Sequence, residues 1–187
     1  TNLLQSGDGN SSDIIQGGAG NDAGTVAGAG VIQAGDDGEV IIRQAGALQT
    51  AGVDQQAGSS NFASIDQGGT AGTSHDAQIT QNGDENDGRA LQRGVNQTAD
   101  IGQTGNLNFA NVDQGAGTGL NHDAIVIQDG DENDARVLQR GTNQTADVTQ
   151  TGFSNLANVD QGAGVGLNQT GTVFQEGDDN EGRIIQR

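Results

Sequence analysis

The chain has 187 residues, 33 of them Gly, and sets 25 acidic side chains against seven basic ones for a formal charge of −18. That balance repels phosphate and excludes a basic groove for nucleic acid, no apolar run approaches membrane-spanning length, and the absence of Cys excludes disulfides and thiol chemistry. Composition by itself describes a chain too polar to bury a core, so any fold has to be carried by periodicity.

Periodicity begins at once. Leu3-Leu-Gln5 is followed by Ile14-Ile-Gln16 and Val31-Ile-Gln33, and further markers stand at Gln44, Gln55, Gln67, Gln81, Gln92, Gln103, Gln114, Gln128, Gln139, Gln150, Gln161, Gln175 and Gln186. Most steps are 11 residues and most exceptions 14. Counting from each Gln, position −2 is Val, Ile or Leu in 15 of 16 units, Ala90 being the exception, and position −4 is most often Ala. Position −6 is Asn, Gln or His in nearly every unit, with weaker positions at Ala27 and Gly38, and +2 is usually Gly. A period of two places these residues on one face of a strand and the polar intervening ones on the other.

Only a few residues separate one strand from the next, and Gly at +2 supplies the positive φ of a tight turn. Strand, turn, strand, turn gives rungs of 22–25 residues. The expected fold is all-β, a two-sided β-solenoid of about eight rungs and 16 short strands; an antiparallel meander is the competing topology. The solenoid is preferred because it stacks identical inward residues, and stacked amides satisfy one another in ladders that make their burial tolerable. The ladder residues on this reading are Gln67, Gln81, Gln92, Gln103, Gln114, Gln128, Gln139, Gln150, Gln161, Gln175 and Gln186, with Asn86, Asn108, Asn133, Asn155 and Asn180. His75 and His122 are read as ladder residues standing where other units carry Gln.

Residues 1–187 read as a single domain, more degenerate over 1–66 and built from 47-residue super-repeats over 67–187. Each super-repeat carries one connection lengthened by three residues, after Gln67, Gln114 and Gln161, and these are expected on one edge between rungs, together with the longest, between Gln16 and Gln33.

The run Gln103-Thr-Gly105-Asn-Leu-Asn108-Phe-Ala110-Asn-Val-Asp-Gln114, repeated as Gln150-Thr-Gly152-Phe-Ser-Asn155-Leu-Ala157-Asn-Val-Asp-Gln161 and begun again at Gln81-Asn-Gly83-Asp-Glu-Asn86, resembles the curlin repeat of bacterial curli. The resemblance covers nearly the whole chain. It implies an extracellular, secreted subunit that polymerises into amyloid-like fibres of a biofilm matrix or cell surface, with itself as partner, a nucleator and secretion machinery as accessory partners, and no required cofactor. The position the family usually fills with Ser is Asn, Gln or His here, and the turns are more acidic.

The charges are also organised. All seven basic residues are Arg, at Arg43, Arg89, Arg93, Arg136, Arg140, Arg183 and Arg187, and Asp66, Asp113 and Asp160 precede Gln markers of the intervening rungs, so basic and acidic rungs are expected to alternate along one face and discourage register slips. Phe62, Phe109 and Leu156 are expected to face outward. Acidic turns recur at Gly83-Asp84-Glu-Asn86-Asp87, Gly130-Asp131-Glu-Asn133-Asp134 and Gly177-Asp178-Asp-Asn180, and their hard oxygens make them candidate Ca²⁺ ligands, although an EF-hand's distal Glu is missing. Turn preference for Asp and Asn explains the same residues without a metal.

Every acid or His repeats in a later unit, so no unique catalytic constellation stands out and an enzyme is not expected. The expected function is head-to-tail polymerisation through open terminal strands, with Leu3 and Gln5 meeting Ile184 and Gln186, because the chain starts inside its first motif and stops one residue after its last Gln. The alternative is a monomeric secreted β-solenoid acting as a calcium-dependent adhesive or ice-binding module.

Overall fold

A computed structural model describes residues 2–23, 30–115, 120–162 and 168–187. In chain order its strands are β1 (Leu3–Ser6), β2 (Ser11–Ala19), β3 (Asp22–Ala23), β4 (Val31–Ala34), β5 (Glu39–Ala47), β6 (Thr50–Ala57), β7 (Phe62–Thr73), β8 (Asp76–Asn82) and β9 (Asp87–Gln92). The second half continues with β10 (Thr98–Thr104), β11 (Phe109–Gln114), β12 (Asp123–Asp131), β13 (Asp134–Gln139), β14 (Thr145–Phe153), β15 (Leu156–Gln161), β16 (Thr170–Glu176) and β17 (Glu181–Gln186).

The strands form two sheets. The first stacks β1, β4, β6, β8, β10, β12, β14 and β16, with β3 beside β6, and the second stacks β2, β5, β7, β9, β11, β13, β15 and β17. Every pairing is parallel, so the chain coils as a two-sided solenoid and the meander is ruled out. Register sets like on like: Ala99, Ile101 and Gln103 lie beside Ala124, Val126 and Gln128.

Alternation explains how so polar a chain finds a core. Strand β10 buries Ala99, Ile101 and Gln103 and exposes or half-exposes the residues between them. The apolar core is a double column of Ala and Val or Ile from Ala23 to Val173, flanked by buried amides. Each buried Val or Ile contributes about 1.5–3 kcal/mol, and in-register stacking repeats that gain at every level.

Two edges join the sheets. Turns from the first sheet to the second contain Asn86, Asn108, Asn133, Asn155 and Asn180 and form the asparagine edge; turns from the second back to the first contain His75 and His122 and form the histidine edge. On the asparagine edge Gly105 has φ 102°, and a Cβ there would run into the carbonyl oxygen of Gly130 on the next level. Gly at +2 is therefore required by the close approach of stacked turns as well as by turn geometry. The connections after Gln67, Gln114 and Gln161 all lie on the histidine edge; 116–119 and 163–167 fall outside the described residues.

The insertion between Gln16 and Gln33 is not on an edge. Asp22 and Ala23 sit beside Thr50 and Ala51, while Val31, Ile32 and Gln33 sit beside Val53, Asp54 and Gln55. One strand position of the first sheet is thus shared by β3 and β4, and residues 24–29 between them fall outside the described residues. Asn21 takes a ladder place, its Oδ1 accepting the Gln49 N–H at 3.2 Å, and Ala23 is fully buried beside Ala51, while the weak position Ala27 lies outside the described residues.

Candidate functional site

The repeated chemistry of this protein is its buried amide array. In the first sheet each Gln donates from Nε2 to the next Oε1: Gln81 to Gln103 at 2.9 Å, Gln103 to Gln128 at 3.0 Å, Gln128 to Gln150 and Gln150 to Gln175 at 2.9 Å. The second sheet repeats this from Gln67 through Gln92, Gln114, Gln139 and Gln161 to Gln186, at 2.8–3.0 Å. The amide also closes the turn: Gln103 Nε2 donates to the carbonyls of Asn108 at 3.0 Å and Asp87 at 3.1 Å. A polar side chain is tolerable at zero exposure because both its ends are bonded.

Asparagines form a third column, on the asparagine edge, with the opposite polarity. Asn108 Nδ2 donates to Asn86 Oδ1, Asn133 to Asn108, Asn155 to Asn133 and Asn180 to Asn155, at 2.9–3.1 Å. Each Oδ1 also accepts the backbone N–H of the next Asn, and each Nδ2 from Asn86 to Asn155 reaches the turn Gly carbonyl of the level above, as Asn108 does at Gly130. Donors and acceptors match without remainder.

The histidine edge is different. Gln49, His75, Gln97, His122 and Gln144 are at most 1% exposed, yet among the described residues Gln49 Oε1, Gln97 Oε1, Gln144 Oε1 and both ring nitrogens of each His have no hydrogen-bond partner. Where two Gln adjoin, the ladder forms again: Gln144 Nε2 donates to Gln169 Oε1 at 3.1 Å. A His at alternate levels breaks it. Burial pushes both imidazoles down to about 4, which keeps them neutral at physiological pH.

The residues proposed as Ca²⁺ ligands do not converge. Asp84 Oδ1 accepts the Ser59 backbone N–H at 2.7 Å, Asp131 Oδ1 that of Asn106 at 2.7 Å, and Asp178 Oδ1 that of Phe153 at 3.1 Å. Asp87 and Asp134 bind Arg89 and Arg136 in two-point contacts at 2.6–3.2 Å. Asn86, Asn133 and Asn180 belong to the inward column. Among the described residues no group of three or more acidic, His or Cys side chains is placed to hold a metal. These carboxylates act as turn caps and ion-pair partners.

Arginine pairing also departs from expectation. Arg89 lies beside Ser64 and Asn111, while Asp66 and Asp113 lie beside Leu91, so the two charges mostly occupy separate columns. The expected alternation within one column survives at Arg43 beside Asp66, and Arg140 reaches Asp160 at 2.7 Å across levels. These pairs are partly exposed, and each is worth about 0–1 kcal/mol. A feature unseen in the sequence is the stacking of Arg89 between Phe62 and Phe109, 5.2 and 5.7 Å from the ring centres, with Arg136 5.5 Å from Phe109. Phe62 and Phe109 stand one super-repeat apart with the strand of Arg89 between theirs, and that spacing could have found it.

All seven Arg lie on or directly after second-sheet strands. The first sheet's outer face carries Asp76, Asp100, Asp123 and Asp147 on successive levels, and desolvation together with mutual repulsion raises the carboxyls of Asp100 and Asp123; desolvation raises Asp76.

The molecule is a parallel two-sheet solenoid with stacked amides in its interior, and no helix among the described residues is long and apolar enough to cross a membrane. The curlin associated repeat matches residues 35–69, 83–115, 98–130 and 130–162, more than half of the chain, and the chain belongs to that family. It is a curli-type repeat protein, and both family and fold are structural rather than enzymatic. No curated protein is similar enough to count as a match.

Proposed function

We propose that this protein is the subunit of an extracellular amyloid-like fibre, in which copies stack head to tail and continue one solenoid. The observation that carries the reading is the directional amide array. Gln175 Oε1 accepts from Gln150, so its own amide can hand a donor onward, as every Gln below it does. Ile184 and Gln186 are partly exposed, whereas their partners one level down, Val159 and Gln161, are fully buried. Leu3 is half exposed at the other end, at a position buried in Val31 above it. A second copy supplies what each end lacks, and opposing ends of unlike polarity give an open filament rather than a closed dimer.

Family membership supports an extracellular surface or biofilm-matrix location, and a nucleator and secretion machinery are the accessory partners of this reading. No cofactor takes part in the contact. Electron microscopy of the purified chain tests it: unbranched filaments are expected, and a chain that stays monomeric at high concentration and neutral pH overturns it.

A further inference from the structure

Resting on that reading, we infer that the joint between copies is specified by its outward residues: Arg183 of one copy faces Asp13 of the next, and this pair selects docking of each sheet on its own counterpart. The internal register fixes the comparison. Since Gln161 lies beside Gln186 and Gln16 beside Gln44, continuing the Gln column places Gln186 beside Gln16 of the next copy. Arg183 then meets Asp13, Ile184 meets Ile14 and Ile185 meets Ile15. In the first sheet Val173 meets Leu3, Phe174 meets Leu4 and Gln175 meets Gln5.

The outward members of these pairs are otherwise uncovered. Phe174 is 68% exposed, Leu4 62%, Ile15 54% and Ile185 41%, and the joint brings all four into apolar contact. Leu4 already lies beside Ile32, so Phe174 completes a short apolar column.

A solenoid with two similar faces also has a rotated joint, turned half a revolution about the fibre axis. There Gln186 meets Gln5 and Gln175 meets Gln16, so both inner ladders survive; Phe174 meets Ile15 and Ile185 meets Leu4, so the apolar pairs survive as well. On the outer face the rotation loses the charge pair, since Arg183 then faces Asn2 and Asp13 faces Thr172. The two glutamine ladders and the apolar contacts do not discriminate the joints; the asparagine column does, because rotation carries Asn10 of the next copy away from Asn180 to the histidine edge, and on the outer face Arg183 with Asp13 does. A slip of one residue along the strand turns every inward side chain outward and is excluded by the core itself.

The chain contains no Cys, so introduced thiols report the joint alone. Filaments of Ile15→Cys/Ile185→Cys are expected to yield, on mild oxidation, disulfide-linked oligomers, while Leu4→Cys/Ile185→Cys filaments give none. The opposite result, or no linkage in either, overturns the inference while leaving filament formation intact; a parent chain that forms no filament instead overturns the reading beneath it. Should the thiol variants assemble poorly, charge exchange decides: Arg183→Asp and Asp13→Arg each slow elongation roughly fivefold and the double exchange restores it. Singles at the parental rate, or no restoration, contradict the pair.

Discussion

The two edges of the solenoid perform the same turn with different polar residues, and only one of them closes its hydrogen bonds. On the asparagine edge a short amide bonds the amide and backbone N–H of its neighbour and the turn carbonyl above, level after level. On the histidine edge the inward Gln alternates with His, and among the described residues the inward ladder appears where Gln144 adjoins Gln169, while the exposed Asn96, Asn121, Asn143 and Asn168 bond one another beside it. A stack is only as continuous as the identity of its levels, and substituting a residue of similar size interrupts it when donor and acceptor no longer alternate.

The sharpest way to break this comparison is to remove one amide from each edge. Asn108→Leu strips partners from Asn86, Asn133 and Gly130, and each orphaned group costs about 1–3 kcal/mol, so a loss above about 3 kcal/mol is expected in denaturant unfolding. Gln97→Leu removes one bond, to the Arg93 carbonyl, and is expected to cost about 1 kcal/mol. Equal losses would remove the distinction between the edges.

Acid probes the histidine edge next. His75 and His122 titrate near 4 in the fold against an ordinary 6.5, so the unfolded chain binds protons that the folded chain refuses. Stability should be complete above about 6.5 and fall as pH drops towards 4, by up to about 3 kcal/mol for each His. The double variant His75→Gln/His122→Gln should flatten that slope in unfolding midpoints measured across the window; an unchanged slope assigns it elsewhere.

At pH 7 the single variant His122→Gln should raise stability by about 1 kcal/mol, because an amide at that level can join Gln97 to Gln144 and restore the ladder. A loss of the same size would show that the ring packs better than the amide bonds.

The smallest expected effect lies on the first sheet's outer face. Asp100 is raised by burial and by Asp76 and Asp123, so its ionised form is disfavoured at neutral pH and that penalty is relieved as pH falls through the raised value. Asp100→Asn should therefore stabilise by about 0.5 kcal/mol at neutral pH and by nothing in acid, read from the same unfolding curves. Destabilisation at neutral pH would contradict the repulsion.

Much of this architecture was legible because the inward period of two holds through the regular repeats: Gln103, Ile101 and Ala99 name their own neighbours one rung away. The difference between the edges was present too, in the run Gln97, His122, Gln144, Gln169 set against Asn86, Asn108, Asn133, Asn155. Pooling these residues as one amide position hid it. Asn21 was missed because the insertion opens inside a strand, and the Arg89 stack between Phe62 and Phe109 because it joins residues two levels apart on the outer face. That Asp84 and Asp131 accept a backbone N–H from a neighbouring level was not legible, since composition cannot tell a carboxylate facing solvent from one already bonded.

Helical reconstruction of filaments by electron cryomicroscopy tests the central claim most directly. A continuous solenoid of eight levels requires a subunit rise of about 38 Å, with parallel strands spaced at about 4.8 Å and the asparagine and histidine columns on opposite edges throughout. A subunit rise of about 4.8 Å, one chain flattened into a single layer, would contradict it.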